Sequence, residues 1–457
     1  MSNAFMRSTD RPPGPSRWII PMATVAVVLV LIVFAVWVTP RGKPPETTFT
    51  AVNIPSITPR PTRPVITPPT GVLSETDPEE LDKLNEFFGE LPTPEVLTPL
   101  TSKKVKGVYV PIDQSIEPAI ELYKAGHINA VVIDFKERGG IFYRSKDPEL
   151  QRVYMGTDHV SKQLNRLKEE GVYVIARIVC FADAKMASAH PERAISDQAE
   201  NVLTYPGEGS SSFLNPYDTR NWDDLIKIAL EAVVMGANEI QFDYVRFPTG
   251  RSTSGERAYF GNPDDLPSRP QAINRFLETA RVKIQDTYGI PVGADVFSIV
   301  IMSRLDGNTL GQDWPTIGRT GIASLSPMVY PSHYANSSNH YSGNGQGTIL
   351  GGTLFEKPDL HPYDVTRLAL IDGLPVTMAK EYTTVRPFLQ AFTANYLPSG
   401  YFMEYDAAAI AQTIAAVYAA GYDEWLLWSP NAEYPAEIFT DESLQVPQGT
   451  DEAPPEP

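Results

Sequence analysis

An eight-stranded parallel α/β barrel is the fold this sequence predicts, on three observations. Between residues 105 and 439, short runs rich in Val, Ile and aromatic residues alternate with amphipathic stretches, the pattern of parallel strands covered on both faces by helices. The runs number eight, the count that closes a (β/α)8 TIM barrel. Five of the intervening stretches end at a Gly shortly before the next run, the residue that closes a helix in the left-handed conformation. A doubly wound open sheet shares the alternation, but its first turn often carries a glycine-rich phosphate loop, and "VPIDQSIEP" contains none.

In chain order the strands are "VKGVYVPI", "AVVIDFKE", "VYVIARIVCF", "EIQFDYVRFP", "PVGADVFSIV", "ASLSPMVYP", "RPFLQAFT" and "EWLLWSP". The helical pieces include "EPAIELYKAG", "DHVSKQLNRLKEEG", "DTRNWDDLIKIALEAVVMG", "QAINRFLETARVKIQDTYG" and "YDAAAIAQTIAAVYAAG". The barrel is expected over residues 105–441. Before it, residues 77–104 form a lead-in: Asp77 suits an N-cap, Pro78 the first helical position, and Leu81, Leu84 and Phe88 share one face of a short helix.

Further upstream the chain changes character. Residues 18–38 carry no charge and are long enough to cross a bilayer, with Trp18 and Trp37 at the two interfaces. The run is longer than the apolar core of a cleaved signal peptide, so an uncleaved anchor is expected. Arg7, Arg11 and Arg17 precede it and Arg41 and Lys43 follow, which favours a cytoplasmic segment 1–17. Residues 39–76, rich in Pro and Thr, read as an extended linker, and residues 442–457 as a disordered acidic tail. The expected arrangement is a single-pass protein of the cell membrane, bound to lipid through this helix, with the barrel facing outward.

The formal charge of −17 argues against nucleic acid as a partner, because binding phosphates requires a basic surface. The one cysteine, Cys180, excludes an intrachain disulfide and a thiolate metal cluster, and its apolar surroundings suit a buried, inert thiol.

Barrel active sites lie at the C-terminal ends of the strands. That rule selects Asp134, Lys136 and Glu137 on the second strand, Asp243 and Arg246 on the fourth, Asp295 on the fifth, and Tyr330, His333 and Tyr334 on the sixth. Gln390 on the seventh and Trp428 and Asn431 on the eighth complete the set. Period-2 alternation puts Gln241, Asp243 and Val245 on one face, with Phe242, Tyr244 and Arg246 on the other. A carboxylate facing the barrel axis is costly unless paired or functional, and Arg177 on the third strand is the natural partner. Gly293, Asp295 and Phe297 share the corresponding face of the fifth strand, so Asp295 can approach Asp243. Two carboxyl groups in one cleft are the minimum for glycoside hydrolysis, one protonating the leaving oxygen and the other attacking or stabilising the sugar carbon. Their mutual repulsion, with a cation such as Arg246 or Arg177 nearby, separates the two pKa values as the chemistry needs. Trp428 is either a core aromatic, as buried indoles often are, or an indole face offered to the C–H side of a pyranose ring. "MVYPSHYANSSNHYSGNGQG" adds Tyr330, His333 and Tyr334 beside a long loop.

Taken in order, "KGVYV", "VVIDFKERGG", "YVIARIVCFAD", "EIQFDYVRFP", "SPMVYPSHY", "RPFLQAF" and "GYDEWLLWSPNAEY" resemble a family of bacterial glycosyl hydrolase domains of otherwise unknown function, found behind an N-terminal anchor or signal. The resemblance implies a TIM barrel within the large glycosidase superfamily, no cofactor, and a carbohydrate substrate. It makes Asp243 the candidate nucleophile. Relatives of that superfamily place the acid on the fifth or sixth strand, often as Glu on the fifth, so Asp295 is the candidate acid and Glu137 its alternative. A surface barrel that binds polysaccharide without cleaving it is the competing expectation. A metal-dependent hydrolase would need His and carboxylate ligands on several strand ends, and only His333 of the six histidines lies at one.

Overall fold

A computed structural model describes residues 78–440 except 95, 102, 210, 250–256, 341 and 372–382. The expected membrane span, linker and acidic tail lie outside the described residues. Among the described residues no helix is long and apolar enough to cross a membrane.

The eight strands form as the alternation predicts: β1 (Lys106–Val110), β2 (Ala130–Glu137), β3 (Tyr173–Val179), β4 (Glu239–Asp243), β5 (Val292–Phe297), β6 (Ser324–Val329), β7 (Phe388–Gln390) and β8 (Trp425–Trp428). Each pairs in parallel with the next, and β8 returns to β1 through Lys106↔Trp425 and Val108↔Leu427, which closes the barrel.

The principal helices are α1 (Pro78–Phe88), α2 (Glu117–Lys124), α3 (His159–Glu169), α4 (Thr219–Met235), α5 (Arg269–Ala280), α6 (Pro362–Ile371) and α7 (Ala407–Ala419). Their ends obey local chemistry. Asp218 caps α4 by accepting from the Arg220 N–H, and Gly236, at φ 109°, takes the left-handed position that ends it. Ser268 and Gln271 form a reciprocal capping box on α5, which runs on into a π-helical turn, Arg281–Asp286.

Outward residues of the strands, such as Ile133, Phe135, Ile240, Phe242 and Leu325, pack under the helices against Ile120, Leu164, Leu225 and Phe276. Inside the barrel a smaller cluster holds Tyr109, Val132, Ile175, Tyr330, Phe388 and Leu426. The N-terminal ends of the strands are closed by ions. Arg386 donates to Glu239 at 2.5 Å and to Glu424 at 2.8 Å, and all three side chains are buried.

Helix α1 packs on the barrel through its C-terminal end. Phe88 lies 4.9 Å from Trp222 of α4, and Arg275 of α5 donates to the Gly89 carbonyl at 2.7 Å. Leu81, expected on the same apolar face, stays 40% exposed.

Candidate active site

The centre of the C-terminal mouth is the guanidinium of Arg177, carried inward by β3. Its Nε and Nη2 donate to Asp243 Oδ2 at 2.9 and 2.6 Å. Its Nη1 donates to Asp134 Oδ1 at 2.6 Å and also to the Glu137 carboxylate. One cation therefore holds three acids from β2 and β4. Of these, Glu137 keeps 25% of its side chain exposed, against 2% for Asp134 and 8% for Asp243.

Strand β2 presents both Asp134 and Glu137 to the mouth because its register with β3 shifts between Asp134 and Lys136. Strict alternation would send Lys136 inward beside Asp134. Instead Lys136 is buried with Asp183, Nζ to Oδ2 at 2.7 Å, and donates to the Val179 carbonyl. The expectation that Lys136 lines the mouth is corrected by this irregularity.

Asp243 ends β4. Its Oδ1 accepts the backbone N–H of Tyr244 at 2.6 Å, and Tyr244 has φ 50°, an uncommon conformation for a residue with a side chain. The Tyr244 ring lies under the Arg138 guanidinium at 4.3 Å. One strand over, Asp295 is buried and its Oδ1 accepts from Gln241 Nε2 at 2.7 Å, while the same amide reaches Ser326 Oγ at 3.0 Å. Burial, then the charge of Asp243, pushes the Asp295 carboxyl well above the usual carboxylate range. Burial also raises the Asp134 carboxyl to about 7, against the opposing pull of Arg177.

Aromatic rings complete the mouth. Trp428, part-exposed, stacks on Tyr109 at 6.0 Å and 9°, meets Tyr330 at 6.0 Å, and takes Phe392 edge-on at 5.2 Å. His333 stands exposed with its ring edge-on to Tyr330 at 5.0 Å. Tyr109 donates its hydroxyl to Asp134 Oδ2 at 2.7 Å, which joins the aromatic wall to the carboxylate cluster.

Other residues selected at the strand ends lie elsewhere. Arg246 is buried on the opposite face of β4, bonded to Glu208 at 2.9 and 3.0 Å, so the cation beside Asp243 is Arg177. Gln390 is fully buried: its carbonyl accepts from the Ser332 N–H and hydroxyl, and its amide donates to Asp359 and to the Phe392 carbonyl. No polar group of that side chain is left for a ligand. Tyr334 packs in the outer core, and Asn431 is exposed in the loop after β8. The loop after β6 is folded on itself, with Asn336, Ser338 and Asn344 bonding its own backbone and a hairpin at Thr348–Phe355.

Tyr109, Gln241 and Phe392 were not among the selected residues. Tyr109 was findable, since it shares the inward parity of Gly107 at the end of β1. Cys180 is buried and burial pushes its thiol well above the ordinary value, as its apolar run suggested. Among the described residues no three His, Cys, Asp or Glu side chains are arranged to hold a metal ion.

Comparison with known proteins places this geometry in a family. The chain belongs to the family described as "Putative glycosyl hydrolase domain", which matches residues 105–434. Among solved structures, a hypothetical protein from Ruminiclostridium thermocellum ATCC 27405 is 30% identical, covering 41% of this chain and 97% of that one, with a TM-score of 0.35. The PgaB (BpsB) glycoside hydrolase domain from Bordetella bronchiseptica is 12% identical over 74% of this chain and 96% of its own, with a TM-score of 0.50, and shares the barrel fold. The α-L-fucosidase isoenzyme 2 from Paenibacillus thiaminolyticus is 16% identical over 74% of this chain and 48% of its own, at a TM-score of 0.45. No curated protein matches.

Proposed function

We propose that this member of the glycosyl hydrolase domain family is a glycoside hydrolase acting on a poly- or oligosaccharide at the cell surface, with Asp243 as nucleophile or cation-stabilising carboxylate and Asp295 as proton donor. The observation that carries the reading is the contrast between two neighbouring acids. Asp243 accepts two guanidinium hydrogen bonds and a backbone N–H, the surroundings of an acceptor-only carboxylate. Among the described residues no cation bonds Asp295; it accepts a neutral amide, and burial holds its proton well above the usual range. A group that keeps its proton can deliver it to the glycosidic oxygen, while its neighbour meets the positive charge developing at the sugar carbon.

In this reading Trp428 packs against a pyranose face, with His333 and Tyr330 at its edge, and Asp134 and Arg177 orient the nucleophile. A second assignment rests on exposure: Glu137, the most accessible acid of the Arg177 cluster, takes the place of Asp295 as donor. The span at residues 18–38 would hold the barrel outside the cell. Recovery of intact full-length protein in the soluble fraction would remove that part of the proposal.

Asp243→Asn keeps the shape and removes the charge, so turnover is expected to fall about 10³-fold or more on a scissile glycan while the protein still folds. Equal activity per folded molecule would make Asp243 structural. An acid matters most when the leaving group is poor. Asp295→Ala therefore nearly abolishes cleavage of natural oligosaccharides but spares aryl glycosides, and Glu137→Ala does neither. The reversed pattern would assign the acid to β2. Saturable oligosaccharide binding with no turnover by the wild-type protein would identify a binding barrel.

A further inference from the structure

The loops after β3 and β4 enclose a second recess, separate from the carboxylate mouth. It is a cleft of about 480 Å³ walled by Gln198, Tyr217, Tyr259, Phe260 and Arg269, with Pro263 and Pro267 on one side. The volume falls in the range of small-molecule sites, and so does the composition of aromatic walls with a few polar groups.

Arg269 is the unusual member. The buried arginines Arg177, Arg246, Arg275 and Arg386 each pair with a carboxylate. Arg269 is half-buried and lies over the rings of Phe247 at 4.9 Å and Phe260 at 5.8 Å. It spends Nη1 on the Thr309 carbonyl at 2.7 Å, and no acceptor meets Nε or Nη2 among the described residues. The acidic turn just before it offers nothing: Asp265 accepts from Asn262, and neither Asp264 nor Asp265 forms an ion pair with Arg269. Among the described residues no acid meets this guanidinium edge, on the wall of an aromatic cleft.

The geometry points to a binding site for a carboxylate-bearing sugar, a uronic acid residue of a glycan. A guanidinium edge presents two parallel donors that match the two oxygens of a carboxylate. The Tyr259 ring, 47% exposed, offers a face to the C–H side of a pyranose, and the Gln198 amide can meet a hydroxyl. A neutral sugar brings no charge to the Arg269 guanidinium, and a bare carboxylate lacks the ring that the aromatic walls cover. The site requires no chemistry in the mouth, so it stands or falls independently of the hydrolase reading.

Calorimetric titration of the whole protein with sodium glucuronate, methyl glucoside and sodium acetate tests it. Glucuronate is expected to saturate in the millimolar range, with the other two much weaker. Arg269→Gln should weaken glucuronate at least about tenfold, the size of a lost charge-assisted pair, and Tyr259→Ala about three- to tenfold. Trp428→Ala, which strips the mouth of its indole, should leave the affinity unchanged. If Arg269→Gln fails to fold, the exposed Tyr259 variant carries the test. Acetate binding as tightly as glucuronate would reduce the cleft to an anion site. Loss of glucuronate binding in Trp428→Ala, or full affinity in either cleft variant, would overturn the assignment.

Discussion

Asp134 shows how competing terms set one residue's behaviour. Arg177 and Tyr109 both bond its carboxylate, which favours the charged form, yet burial prevails and raises the group to about 7. An unfolded Asp titrates near about 3.9. Between roughly pH 4 and 7 the folded protein therefore holds a proton that the unfolded chain has lost, and stability falls as pH rises through that window. The contribution is fully present below the unfolded value and gone above the folded one. Asp134→Asn, which still accepts from Tyr109, should flatten this fall, on the order of a few kcal/mol across the window. Urea unfolding of both proteins at several pH values measures it. A wild-type advantage over Asp134→Asn that grows with pH would show the Arg177 pairing to dominate instead. Strand parity was enough to bring Asp134, Asp243, Asp295 and Arg177 to one mouth. It also put Arg246 on the opposite face of β4 from Asp243, but the partner that buries it, Glu208, is 38 residues away in a short turn with no periodicity to read.

Among elements, the strands were legible in place and the irregularities within them were not. β4 stops at Asp243 because Tyr244 turns into the left-handed region, although apolar residues continue to Phe247. The register shift in β2 reverses the parity of the residues beyond Asp134, which is why Lys136 leaves the mouth and Glu137 enters it. The hairpin after β2 keeps Glu137 in place through its pairing with Gly140. Gly140 sits at φ 125°, and a Cβ there would lie 1.8 Å from the Val153 carbonyl oxygen. Gly140→Ala must move backbone as well as adopt a strained conformation, so a loss of about 2–4 kcal/mol is expected. Chemical denaturation tests the magnitude. A cost within about 0.5 kcal/mol, that of an ordinary surface change, would mean the hairpin relaxes freely.

Over the whole molecule the barrel carries a buried arginine ringed by acids at each end, and the two ends are built for different purposes. At the closed end Arg386 meets Glu239 and Glu424, Tyr173 donates its hydroxyl to Glu239 at 3.0 Å, and the Val105 N–H donates to Glu424 at 3.1 Å. Arg386, Glu239 and Glu424 are all buried, and each has a partner. At the open end Arg177 holds three acids, one of them accessible. The count of eight strands foretold the barrel, but not this doubling, because the floor residues fall just outside or at the very start of strands β4, β7 and β8. Arg386→Met should cost about 3–5 kcal/mol by leaving two buried carboxylates unpaired. Adding Glu239→Gln and Glu424→Gln removes the orphaned charges and should recover most of that loss, with turnover per folded molecule unchanged throughout. The matching series at the mouth, Arg177→Met followed by Asp134→Asn and Asp243→Asn, should also recover stability but never activity. Unfolding free energies and turnover measured on both series separate the ends. A floor series that loses activity in step with the mouth series would show that the two clusters act as one network along the barrel axis.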